Sequence, residues 1–217
     1  PKSDINYSQP WTFTNVESTY AMFRGEYDFS RHLSAYAAVG ASHNNELNDL
    51  VSLTVANNGS ASGFRFANSY NVETVTGEAG LRGRFETGAV KHSVNLGATS
   101  TSSTARSDFI FDFTPINTSI YRPVAQPKPN GFGLDTGSLG DPDVTNRVRI
   151  KSVALSDTLS MLDDRLFVTL GLRRQSIQVI NYDFTTSQLE NIDKAEIKGV
   201  EVAYNFTGQP GVFSANA

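Results

Sequence analysis

Three times in this chain, two segments of alternating apolar and polar residues meet across a very short turn. Long stretches rich in Asn, Ser, Thr, Gly and Pro separate the pairs. Ser18–Phe29 turns at Ser30-Arg31-His32 into Leu33–Ser42, and Val75–Glu86 turns at Thr87-Gly88-Ala89 into Val90–Thr99. Arg147–Leu159 turns near Leu162-Asp163-Asp164-Arg165 into Leu166–Arg173. Helical spacing fits none of these segments as well as period two. Short connections at one end and long ones at the other predict an all-β fold. The expected architecture is an antiparallel up-and-down transmembrane β-barrel, present here as about seven or eight meander strands.

Side chains alternate sides along a strand, so each segment has one greasy wall and one polar wall. The first sets Ala21, Phe23, Gly25, Tyr27 and Phe29 against Met22, Arg24, Glu26 and Asp28. The third sets Val75, Ala79, Leu81 and Phe85 against Glu78, Arg82, Arg84 and Glu86. On this pattern Phe23, Val39, Leu81, Leu96 and Leu170 are expected to face lipid. Arg24, Arg82, Arg84 and Arg173 are expected to face the lumen. The fifth segment breaks step: Val148 and Ile150 share one parity, Val153, Leu155 and Leu159 the other, and a bulge near Lys151-Ser152 would reconcile them. A seventh segment places Val200, Val202, Tyr204 and Phe206 opposite Gly199, Glu201, Ala203 and Asn205. Tyr27, Phe29, Phe85, Tyr204 and Phe206 stand near segment ends, where aromatic girdles belong.

The two long connections differ in character. Within 43–74, Val51, Leu53 and Val55 alternate up to Asn57-Asn58-Gly59, and Phe64 and Phe66 alternate on the way back. Asn-Gly favours a two-residue hairpin turn, so the flanking strands extend well beyond the membrane. The stretch 100–146 carries Pro115, Pro123, Pro127, Pro129 and Pro142, which argue against regular strand through most of it. Phe109, Phe111, Phe113, Tyr121 and Phe132 make it too apolar for a disordered tail, and a long aromatic loop is usually functional. The alternative is that these rings only pack the loop against its neighbours.

Composition narrows the class further. Among 217 residues, 39% are apolar and 18% charged, low for a globular protein but suited to strands that are apolar on one face. A net charge of −4 with no basic stripe argues against nucleic acid. The lack of cysteine excludes a disulfide scaffold and a thiolate metal site, and it suits passage through an oxidising periplasm. No apolar run approaches the ~20 residues of a membrane helix. The opening Pro1 is read as a sign that an N-terminal part has been removed.

No catalytic or metal-binding cluster is legible. His32, His43 and His92 are scattered over a turn, a loop and a strand, and His92 is expected at the membrane interface. Gly77, Gly80 and Gly83 lie within a strand and mark bends or close approach, not a phosphate loop. Asp163-Asp164 and the pair Asp141 and Asp143 are read as turn residues, with calcium at the latter pair the lesser alternative. The chain is therefore not expected to be an enzyme, nor to carry a metal or cofactor of its own.

Several runs in order resemble the barrel of a TonB-dependent siderophore receptor. They are Gln9-Pro10-Trp11-Thr12, Glu26-Tyr27-Asp28-Phe29-Ser30, Leu33–Gly40, Gly80-Leu81-Arg82-Gly83-Arg84-Phe85, Val153–Leu159 and Leu170-Gly171-Leu172-Arg173. The resemblance covers most of residues 9 to 183. It implies an outer-membrane protein of a bacterium that imports ferric siderophores with energy passed through TonB. It also implies that 1–217 is one barrel segment without the family's plug domain, with extracellular loops at about 43–74 and 100–146. TonB would then be reached only through a plug absent here, and the other partners are membrane lipid and the ferric siderophore. Asn191–Glu201 follows Asn181–Phe184 sooner than the family pattern has it, so an internal stretch is expected to be missing. The ligand would meet Tyr121, Arg122, Phe111 and Phe132: rings for its apolar parts, Arg for its anionic groups. Two alternatives remain, a small stand-alone porin-like or adhesin-like barrel and a soluble β binding module.

Overall fold

The structure is a computed structural model that describes residues 7–131, 133–182, 189–208 and 211–216. Among the described residues its regular structure is all strand. The strands are β1 (Phe13–Asp28), β2 (Leu33–Val55), β3 (Ser60–Thr87), β4 (Val90–Ser119), β5 (Gly133–Asp135), β6 (Val144–Met161), β7 (Leu166–Tyr182), β8 (Leu189–Gly208) and β9 (Gly211–Asn216). They form one antiparallel sheet in the order β1-β2-β3-β4-β6-β7-β8-β9, with the short β5 added against β4. β1 and β9 are the edges of that path. A stand-alone barrel would need those edges paired, and no such pairing is present among the described residues. Residues 183–188, where an internal stretch was expected to be missing, lie outside the described residues.

The short turns gather at one end. The Arg84 amide donates to the His32 carbonyl at 2.8 Å, joining the first turn to the end of β3. Lys91 Nζ pairs with Asp164 at 2.7 Å, joining the start of β4 to the β6–β7 turn. Gly88 has φ +61 at the first central position of the β3–β4 turn, as a II′ hairpin requires. At the opposite end lie the β2–β3 tip and the segment 120–143.

At this second end or just below it one expectation, that the strands flanking the Asn-Gly tip extend well beyond the apolar band, holds, and three change. Stretch 43–74 is strand except at its tip, because the register runs unbroken from Leu33↔Gly83 to Val55↔Ala61. The tip has three residues, not two: only Gly59 is left-handed (φ +82), while Ala56 and Ser60 close the hairpin. β4 continues to Ser119 despite Pro115. Phe113, Thr114 and Pro115 together oppose the single Phe64, and this irregularity accommodates a residue that cannot donate to the ladder. Finally, β6 has no bulge at 151–152, since its registers with β4 and β7 run straight through. The parity change marks the edge of the apolar band instead.

Directly paired residues share a face. One face carries the rungs Phe23–Val39–Gly77, Ala35–Leu81–Leu96–Leu155–Leu172–Val200 and Ala79–Ala98–Val153. Its large members lie open: Phe23 is 72% exposed, Leu81 44%, Leu96 43% and Val200 74%. The buried apolar side chains among the described residues are Ala61, Ala67, Ala105 and Ile116. So small a core cannot hold a sheet of this size in water, at about 25 cal/mol per Å² of apolar surface buried. An open apolar face this extensive needs a partner, and a hydrocarbon layer is one against which fully paired antiparallel strands are stable. Replacing Leu81 by Arg is expected to destabilise the barrel by ~2–4 kcal/mol if the site lies near the bilayer midplane, measured by folding titration from lipid. Ser93→Arg, on the other face, should cost much less.

Candidate functional site

The polar face is organised around Tyr36. Its cross-strand partner is Gly80, whose own partner is Gly97. A Cβ on Gly80 would stand 2.5 Å from the Tyr36 ring and 2.6 Å from the Leu96 carbonyl, and one on Gly97 would stand 3.0 Å from the Tyr36 hydroxyl. Glycine is needed because the ring lies flat across these two backbones. The Arg82 guanidinium is 4.5 Å from the ring centroid and that of Arg24 is 5.7 Å. Arg82 donates to Glu26 at 2.8 Å and Arg24 pairs with Glu78 at 3.4 Å. Each guanidinium thus meets one carboxylate and shares one aromatic ring, and the ring fixes their spacing.

Arg84 lies on the same face, nearer the turns, where it lines a polar hollow with Glu26, Asp28, Arg82 and Asn95. Arg173 shares the rung of Tyr36 but sits beyond Gly80, Gly97 and Ala154, so it does not join the cluster. Thr74–Ser103, Thr76–Thr101 and Thr99–Ser152 hydroxyl pairs continue this face toward the far end.

Beyond the apolar band the two faces exchange character. On the face that carries Leu81 lower down, Asp49, Arg65, Ser69, Asp108 and Asp112 are buried. They hold the irregular segment 120–143. Arg65 donates to both Asp49 oxygens at 2.8 and 2.9 Å and to the Pro129 carbonyl at 3.4 Å, and Lys128 pairs with Asp49. Asp112 accepts from the Gly131 amide at 2.8 Å. Asp108 accepts from the amides of Ser138 and Asp143 and from the Thr136 hydroxyl. Gln9 grips the Val124 carbonyl and the Gln126 amide, and the Trp11 indole donates to the Gln126 carbonyl. Burial pushes the Asp49 carboxyl up, but hydrogen bonds and charges from Arg65 and Lys128 outweigh it and hold the group below the usual carboxylate range. No pattern of spacing pointed to this array, because its partners are carbonyls and amides of an irregular segment.

The other face of the same strands is aromatic and open. Phe64 and Phe111 centroids are 6.0 Å apart, Phe66 and Phe109 6.0 Å, and Phe111 and Phe113 5.1 Å. By parity these rings lie on the face of Arg24 and Arg82. Phe111 is central to the cluster. Tyr121 sits apart at the β2–β3 tip, against Gly59, and is 72% exposed. Arg122 beside it is exposed. Phe132 lies outside the described residues.

Elsewhere, His92 stacks on Phe85 at 4.5 Å and pairs with Asp157 at 2.7 Å, on the apolar face near the short turns. Asp141 closes a turn with Ser138. No group of acidic and histidine side chains suited to a metal occurs among the described residues.

A sheet with an open apolar belt on one face and an arginine-rich polar network on the other is a stretch of transmembrane β-barrel wall. The comparisons are specific about which kind. The chain is 38% identical over 185 residues to the ferrichrome receptor FcuA of Yersinia enterocolitica, covering 84% of this chain. It superposes over its whole length on BauA, the ferric preacinetobactin receptor of Acinetobacter baumannii, with 29% identity and a TM-score of 0.79. The fold is shared with the ferric-catecholate import receptor Fiu of E. coli K12, at 12% identity, 97% coverage of this chain and a TM-score of 0.70. No protein-family profile matches the chain. The chain belongs to the siderophore receptors, as part of their barrel. It spans 24% of the length of FcuA, 32% of BauA and 37% of Fiu.

The depressed Asp49 group gives a signed pH dependence. Its stabilising effect is complete above the ordinary carboxylate pKa and is lost as pH falls through the lower folded value. Segment 120–143 is therefore expected to keep its amide-exchange protection from pH 7 to 5 and to lose it only below about pH 4. Asp49→Ala strands the buried Arg65 charge and should cost about 3–5 kcal/mol locally even at pH 7, read by hydrogen exchange of the same segment.

Proposed function

We propose that this chain forms part of the wall of an outer-membrane receptor that binds and imports ferric siderophores. The polar face with Arg24, Arg82, Arg84 and Arg173 lines the lumen, and the open aromatic cluster above it meets the ligand on entry. The observation that carries this reading is that Phe64, Phe66, Phe109, Phe111 and Phe113 share a face with the arginine network and lie at the end away from the short turns. If these rings served only to anchor segment 120–143, they would lie beneath it. The segment is instead held on the opposite face, by Asp49, Asp108 and Asp112. The aromatic side is left open to apolar parts of a ligand.

Tyr121 and Arg122 stand exposed at the hairpin tip, where an anionic complex would arrive first, and guanidinium groups suit planar anionic oxygens. The Arg24–Tyr36–Arg82 network would face the domain that occupies the lumen. Energy would reach the receptor through TonB by way of that domain. No chemistry of bond making or breaking is assigned to this stretch.

The triple variant Phe64→Ala/Phe66→Ala/Phe111→Ala, placed in the receptor containing this stretch, is expected to weaken ferric-siderophore binding about tenfold or more, with surface expression unchanged. Unaltered affinity and uptake would remove the cluster from the binding surface. Tyr121→Ala/Arg122→Ala should slow association more than it speeds dissociation, as befits a first-contact pair.

A further inference from the structure

Above its paired arginines, the face that carries Arg24 and Arg82 is nearly uncharged. From the Met22–Gly40–Thr76 rung up to Phe66–Phe111, the described strands place no lysine or arginine on it. Its charges there are two carboxylates, Glu46 on β2 and Asp193 on β8, which lie five strands apart in the sheet. Glu46 is half-buried and has no ion pair among the described residues. Arg24 stands opposite Ala38, roughly 26 Å down β2 from Glu46, and is paired with Glu78. Glu46 is nevertheless held in place. The Asn48 amide donates to Glu46 Oε1 at 2.6 Å and to Asn68 Oδ1 at 3.2 Å, and Asn48 is only 6% exposed. The second carboxylate oxygen makes no hydrogen bond among the described residues. Tyr70 is the direct partner of Glu46 across the β2–β3 ladder and is 43% exposed. The Asn48–Asn68–Phe109 rung lies about 7 Å above, and Leu50–Phe66–Phe111 follows about 7 Å beyond that.

We propose that Glu46, with the Tyr70 ring beside it, is a subsite for a positively charged group of the ligand: a protonated amine on an arm of the ferric complex. The inference rests on the reading of this face as a ligand surface, and it names what that surface reads. An open carboxylate with a ring at its side offers an ammonium two attractions, a charge-assisted hydrogen bond and the negative face of a π system. No cation of the same wall competes for it. A carboxylate with only a folding role would be paired, as Glu26 and Glu78 are with Arg82 and Arg24. The phenylalanine cluster takes the apolar body of the ligand, and the arm reaches one or two rungs down to Glu46. Tyr121 and Arg122 at the tip meet the ligand first, and Glu46 meets it deeper along the wall.

The test uses the purified receptor containing this stretch and two probes. One is a linear ferric trihydroxamate complex that ends in a free primary amine; the other is the same complex N-acetylated. Affinity for each is measured by titration calorimetry at pH 7, where the amine is protonated. The wild type is expected to bind the amine form about tenfold more tightly or better. Glu46→Gln should bring the two affinities together by weakening the amine form alone. Phe64→Ala/Phe66→Ala/Phe111→Ala should weaken both forms alike. A Glu46 that only supports the wall would shift both affinities together and leave their ratio unchanged. That result, or equal affinities in the wild type, would overturn the subsite and leave the receptor reading standing. A receptor that bound neither form would overturn the reading of this face as a ligand surface, and the subsite with it.

Discussion

Nearly every long-range contact in this chain is a backbone ladder, and the ladder has almost no core beneath it. Three alanines and Ile116 are the buried apolar side chains among the described residues. The sheet is therefore held by paired N–H and C=O groups, with its apolar face left for the solvent to cover. In hydrocarbon those backbone groups find no water to bond with, so each strand must pair along its full length. This one constraint accounts for registers that run without a shift through the apolar band, among the described residues. It also explains why glycine stands where Tyr36 crosses the sheet: a flat ring over Gly80 and Gly97 fills the polar face without parting the strands.

Above the band the same strands enter water, and the rule for each face reverses. The face that met lipid now has to be covered by protein, and segment 120–143 covers it. Proline-rich backbone carries amides and carbonyls that no ladder satisfies. Asp108 and Asp112 accept from those amides, while Arg65 and Lys128 secure the middle of the segment through Asp49. The cost of burying these charges is met by pairing and by multiple hydrogen bonds. With one face closed this way, the aromatic face stays open toward the interior side of the wall. Which side of the wall is left open is thus a consequence of which face the loop is tied to.

Much of the wall was legible in the sequence because period two leaves a direct mark. Leu81 beside Arg82 states both faces of β3 without any knowledge of neighbours. The clearest misreadings came where one signal was given too much weight. The prolines of 100–146 were read as arguing against regular strand through most of it, yet β4 runs to Ser119 and a register irregularity opposite Phe64 absorbs Pro115. The parity change in β6 was read as a bulge, yet the register runs straight through Lys151 and Ser152, and the face of Leu155 simply changes from apolar to basic at Lys151 and Arg149. At the candidate site, Phe111 fell within the aromatic cluster, whereas Tyr121 and Arg122 proved to belong to the hairpin tip. The buried array of Asp49, Arg65, Asp108 and Asp112 was not legible, since its partners are backbone groups brought close only by the folded segment.

The central claim is that one face of β3 meets lipid up to Val75 and protein beyond it. This stretch has no cysteine, so single cysteines can be placed along β3 and spin-labelled in a receptor cleared of any cysteine elsewhere. Accessibility to oxygen and to a polar nickel complex would then be compared position by position. The account predicts high oxygen accessibility at 75, 77, 79, 81, 83 and 85, low values at the even positions between them, and protection from both reagents at 67 and 69. Loss of the two-residue period between 75 and 85, or ready access of the polar reagent to the odd positions there, would contradict it.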